Sequence, residues 1–78
     1  MNVRALEAAM ILAGVKVSEL CSAIGISESA FYRKKAGMTE FTQSEISGIA
    51  KVCKMSRQTI LDVFFPDEVS YTTQEVAE

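Results

Sequence analysis

Apolar residues recur along most of the chain at three- and four-residue steps, the spacing of one face of an α-helix. Val3, Leu6, Met10 and Ala13 make the first such stripe. It predicts a helix from Asn2, suited to the N-cap, to Gly14. Arg4 and Glu7 fall outside the stripe, whereas Ile11 and Leu12 widen it, which implies deep burial or contact with a second surface. Leu20, Cys21 and Ile24 carry a second helix, from about Ser18 to Ile24, with Glu19 and Ser22 facing out. Gly25 ends it, because glycine enters the left-handed conformation without a Cβ clash. Ser27 then caps a third helix over residues 28–36, its hydroxyl accepting from an N–H one turn in. That helix points Phe31 inward and Glu28, Ser29, Tyr32, Arg33 and Lys34 outward.

After a loop with Gly37, Thr42-Gln43-Ser44-Glu45 reads as a capping box. Thr42 accepts from the N–H of Glu45, and Glu45 reaches back to that of Thr42. Phe41, just before the cap, can staple onto Ile46. The fourth helix runs to about Lys54 and buries Ile46, Ile49, Ala50 and Cys53. Gly48 inside it costs up to about 1 kcal/mol against alanine, so its place implies a close contact. Ser56 caps a fifth helix, Arg57 to about Phe64, with Ile60, Leu61 and Phe64 toward the core and Val63 and Phe65 away from it. Pro66 stops it. The pattern is therefore all-α, with one domain over residues 1–66 and an acidic tail over 67–78. The tail is either a frayed end or a short alternating strand, Val69-Ser70-Tyr71-Thr72, added to a partner.

Composition narrows this picture. The chain has 78 residues, and a domain of that size buries only about 60% of its unfolded surface, so good helix packing or a partner is needed. One proline and four glycines favour helices over a turn-rich β fold, and 23% charged residues argue against disorder. No apolar run has the length of a membrane span and the N-terminus lacks the pattern of a signal peptide, so a cytoplasmic protein is expected. Cys21 and Cys53 lie at apolar helix positions and read as small buried hydrophobes rather than a disulfide. With no histidine and no Cys-x-x-Cys, neither zinc nor another cofactor is expected. The net charge of −2 would by itself argue against nucleic acid. Its distribution reverses the argument: residues 1–66 hold all eight cations against six carboxylates, hence +2, and the tail carries −4 through Asp67, Glu68, Glu75 and Glu78.

Two short helices joined at a glycine, the second one capped and bearing polar, aromatic and basic residues outward, form a helix-turn-helix pattern. Leu20-x-x-x-Ile24-Gly25-Ile26-Ser27-x-Ser29-x-Phe31-Tyr32-Arg33-Lys34, with Gly37 and Glu40-Phe41-Thr42-x-Ser44-Glu45-Ile46, resembles the Xre/Cro/phage-repressor family of DNA-binding proteins, especially small regulators of phages of Gram-positive bacteria. The resemblance covers roughly Val3 to Phe65 and implies a five-helix DNA-binding domain. The chain departs from it at Lys16, where that family usually has a Thr or Ser cap, so Ser18 and a later helix start are an alternative. The family's base-reading positions fall on Glu28, Ser29, Tyr32 and Arg33. A guanidinium can pair with guanine O6 and N7, which makes Arg33 the leading candidate. Glu28 either accepts from a cytosine amino group or simply favours its helix N-terminus by charge.

Phosphate candidates are Lys34, Lys35, Lys16, Ser18 at the start of the second helix, Thr39, and Gln43, where free N–H groups favour anions. The three cations from Arg33 to Lys35 also suit a helix C-terminus by its dipole. A single reading helix covers few base pairs, so a homodimer on a double-stranded operator is expected. Val63 and Phe65 are the candidate dimer surface, although Phe65 can equally close the monomer's own core. The leading reading is a Cro-like or short-repressor transcriptional regulator. The alternative is a protein-interaction module on the same fold, an antirepressor or antitoxin whose acidic tail binds another protein. An enzyme is not expected: there is no histidine, no phosphate-binding glycine loop, and no evident base for either cysteine.

Overall fold

The computed structural model describes residues 1–66, and the readings of the tail lie outside them. Five helices follow in order: α1 (Val3–Ala13), α2 (Val17–Ile24), α3 (Glu28–Lys35), α4 (Gln43–Val52) and α5 (Arg57–Phe64). There is no strand among the described residues. Local chemistry sets most of the boundaries. Asn2 Oδ1 accepts from the N–H of Ala5 at 3.0 Å and opens α1. Ser27 Oγ does the same for Ala30 at 3.0 Å, and Ser56 Oγ for Thr59 at 3.1 Å. At α4 the whole capping box forms: Glu45 donates its N–H to Thr42 Oγ1 at 3.1 Å, and Thr42 donates its own to Glu45 Oε1 at 2.9 Å.

The second helix starts earlier than the Ser18 alternative would have it. Lys16 occupies its N-cap in extended conformation, and Val17 is the first helical residue. A lysine side chain has no acceptor. Half a box suffices: Glu19 Oε1 accepts the Lys16 N–H at 2.9 Å. Gly25 ends α2 at φ +76, and its N–H returns to the carbonyl of Cys21.

One cluster forms the core. Leu6 and Met10 come from α1, Leu20 and Cys21 from α2, Phe31 from α3, Ile49 and Cys53 from the α4 region, and Val63 from α5. α2 packs on α4 and α3, and α1 packs on α5. The α2–α4 crossing is tight at Gly48, where a Cβ would stand 2.7 Å from Ile24 Cγ2. This is the close contact that a helical glycine implied. Phe41 turns inward between Phe31 and Phe64, with ring centroids 5.9 Å from each in edge-on arrangement.

Three expectations are corrected here. Deep burial of Ile11 and Leu12 is excluded, since they are 78% and 89% exposed, which leaves their other expectation, contact with a second surface. Val63 is not at a surface; it is fully buried, and its carbonyl accepts the Asn2 N–H at 2.7 Å. It is therefore unavailable to a dimer contact, whereas Phe65 remains 37% exposed. Finally, α4 stops at Val52 rather than Lys54. Lys54 takes φ +53 and the Met55 N–H turns back to the carbonyl of Ala50 at 2.9 Å. This stop has a left-handed residue but no glycine, so the sequence carried no signal for it.

Candidate nucleic-acid interface

α3 is an eight-residue helix anchored by one fully buried side chain, Phe31. Phe31 sits under Tyr32, with centroids 5.7 Å apart, and over Phe41. Everything this anchor leaves outward is polar or aromatic. Glu28, Ser29, Tyr32 and Arg33 are all exposed, and Tyr32 keeps about half of its surface in solvent, at 49%. The four candidate base-reading residues thus share the outer side of one short, capped helix.

The three cations that follow one another at its end divide into two kinds. Lys34 is turned into the fold. Its ammonium lies 3.0 Å from Glu45 Oε1, donates to the carbonyl of Glu40 at 3.0 Å, and stands 5.8 Å from the centroid of Phe41. Lys35 pairs with Glu7 of α1 at 2.9 Å and lies 5.4 Å from the Tyr32 ring centroid. Arg33 makes no ion pair or side-chain hydrogen bond among the described residues. Two of the three cations therefore moor α3 to α4 and α1, and the third faces out. Neither pair was readable from the sequence, since the partners lie 11 and 28 residues away in the chain.

Glu45 sits at the join. Its carboxyl is held below the usual carboxylate range, chiefly because the Thr42 N–H donates to it and secondarily because Lys34 lies beside it. The capping box uses the N–H groups of Thr42 and Glu45, which leaves those of Gln43 and Ser44 without an acceptor among the described residues. Gln43, the first residue of α4, and Thr39, in the loop before it, are both exposed. Lys16 and Ser18 are exposed at the start of α2. The candidates spread over the starts of α2 and α4 and the outer side of α3.

Both cysteines are buried free thiols. Burial pushes each thiol up, and Glu28 adds to the effect at Cys21. Thiols held protonated in this way are poor nucleophiles and act as packing residues. No helix among the described residues is long and apolar enough to cross a membrane.

Residues 5–66 match the family model of the Cro/C1-type HTH DNA-binding domain. No curated protein and no solved structure matches the chain significantly.

Proposed function

The chain belongs to the Cro/C1-type helix-turn-helix DNA-binding family, and from this premise we propose that it is a sequence-specific transcriptional regulator, a Cro-like or short repressor acting in the cytoplasm as a homodimer. The observation that carries this reading is the outer side of α3. Glu28, Ser29, Tyr32 and Arg33 are exposed together there, while the neighbouring lysines are spent on holding the helix in place. A helix so presented can enter the major groove, with Arg33 pairing to a guanine and Tyr32 packing on a thymine methyl or donating to phosphate. Lys16, Ser18, Thr39 and Gln43 would meet the backbone on either side. Lys34 and Lys35 would contribute to phosphate binding through the local field and by fixing the orientation of α3, since each ammonium already faces a carboxylate. Phe65 and Met1, exposed and lining one hollow, are the candidate dimer contact now that Val63 is accounted for in the core.

Selection of bound duplexes from a random-sequence pool at two salt concentrations tests the proposal. The expected result is a two-fold symmetric motif with half-site centres about one helical turn apart. Absence of any enriched motif, with binding abolished by modest salt, would sink it in favour of the protein-interaction reading, which the −4 charge of residues 67–78 supports.

A further inference from the structure

The α4–α5 side of the molecule carries a groove that the DNA-binding reading leaves unused. Its floor is Ile46 and Ala50 of α4, Met55 of the connection and Ile60 of α5, all half-buried. Exposed Lys51 and Lys54 stand along its rim, and the open volume is about 570 Å³. Arg57 opens α5 three residues after Lys54. Of the eight cations, Lys34 and Lys35 are already ion-paired with Glu45 and Glu7. Of the other six, Lys51, Lys54 and Arg57 lie within seven residues of one another. They form the densest positive stretch outside the reading helix.

The chain itself holds the complement. Residues 67–78 bear four carboxylates and no cation, with Val69, Tyr71 and Val76 placed among them. We propose that this segment docks in cis along the α4–α5 groove, its apolar residues over the Ile46–Ala50–Met55–Ile60 floor and its carboxylates toward Lys51 and Lys54. Reach is ample. Ile60 lies five residues before Phe65, about 7.5 Å along the helix axis, and twelve residues can span about 40 Å when extended. The hollow lined by Met1, Phe41, Ile46, Phe64 and Phe65 is also apolar, but its one cation, Lys34, is already paired with Glu45, and Glu40 stands in its lining. The groove runs along α4 away from Glu45, where α3 is moored.

The chain contains no tryptophan, so Tyr71→Trp in the 78-residue chain gives a single reporter. Docking predicts emission shifted to shorter wavelength and acrylamide quenching several-fold weaker than for a free indole, both independent of protein concentration. Lys51→Glu with Lys54→Glu should return both signals to those of an exposed indole, and adding Glu68→Lys with Glu75→Lys should restore them. Circular dichroism checks that the groove variant is folded. Should it not be, the tail variant Asp67→Asn, Glu68→Gln, Glu75→Gln, which alters no groove residue, must release the reporter in its place. An exposed indole in the parent overturns the proposal. So does protection that survives both sets of charge changes, which would place the tail elsewhere, or protection that rises with concentration, which would make the contact one between copies.

Discussion

α3 and α5 are built to the same local recipe and serve different ends. Each has eight residues, each is capped by a serine accepting from an N–H three residues on, and each contributes one fully buried side chain, Phe31 or Val63. What surrounds that anchor differs. α5 adds Ile60, Leu61 and Phe64, all half-buried, and lies against α1. α3 adds no other buried apolar residue; it is held at its end by Lys34 to Glu45 and Lys35 to Glu7. The comparison teaches that a helix can be fixed by one aromatic anchor and two ion pairs, which frees its outer side for another molecule. A helix fixed by a broad apolar face has no such side to spare.

The largest expected effect tests the single anchor. Phe31→Ala should cost about 3–5 kcal/mol in urea unfolding, because α3 has nothing else in the core. Val63→Ala should cost less, about 1.5–3 kcal/mol, since its neighbours on α5 share the load. A Val63 loss equal to that of Phe31 would break the comparison. Next come the caps. Ser27→Ala and Ser56→Ala should each cost about 1 kcal/mol and shift the melting temperature alike, because the two hydrogen bonds are equivalent at 3.0 and 3.1 Å.

A smaller effect separates the two helices by pH. Glu45 has its carboxyl depressed in the folded state, so it contributes stability that is fully present above the ordinary carboxylate value, near 4.5, and lost as pH falls through the lower folded value. Melting temperature followed downward from pH 5 should fall, and Glu45→Gln should flatten that part of the profile. The smallest stability effect belongs to the outer side. Arg33→Ala should change unfolding by less than about 0.5 kcal/mol, yet weaken binding to a selected operator by about 1–3 kcal/mol and relax preference at one base pair. Equal weakening on all sequences would instead mark Arg33 as a phosphate contact. Arg57→Ala on α5 should move neither quantity.

Much of this architecture is legible before any coordinates. Helix starts are local events: Asn2, Ser27, Thr42 with Glu45, and Ser56 each cap within three or four residues, and all stand where their chemistry places them. The stop at Gly25 and the inward turn of Phe31 follow equally short-range rules. Where the rules had no residue to act on, the reading failed. Lys16 cannot cap, and the substitute came from Glu19; Lys54 supplies a left-handed stop that glycine usually marks. Helical periodicity also misjudged Val63 and the deep burial offered for Ile11 and Leu12, because the direction a side chain takes is periodic while its burial depends on which neighbour arrives.

The sequence by itself determined five helices, the N-caps of four of them, the helix-turn-helix spacing and the set of polar residues on one side of α3, since each depends on contacts a few residues apart. Only the tertiary structure decided which of the three adjacent cations are taken up by ion pairs. Lys34 meets Glu45 and Lys35 meets Glu7 because α4 and α1 pack beside α3, and that proximity is a property of the folded core rather than of any local run of residues. Arg33 has no such carboxylate beside it among the described residues and stays outward, which is the physical reason the three adjacent cations divide between holding the fold and facing solvent.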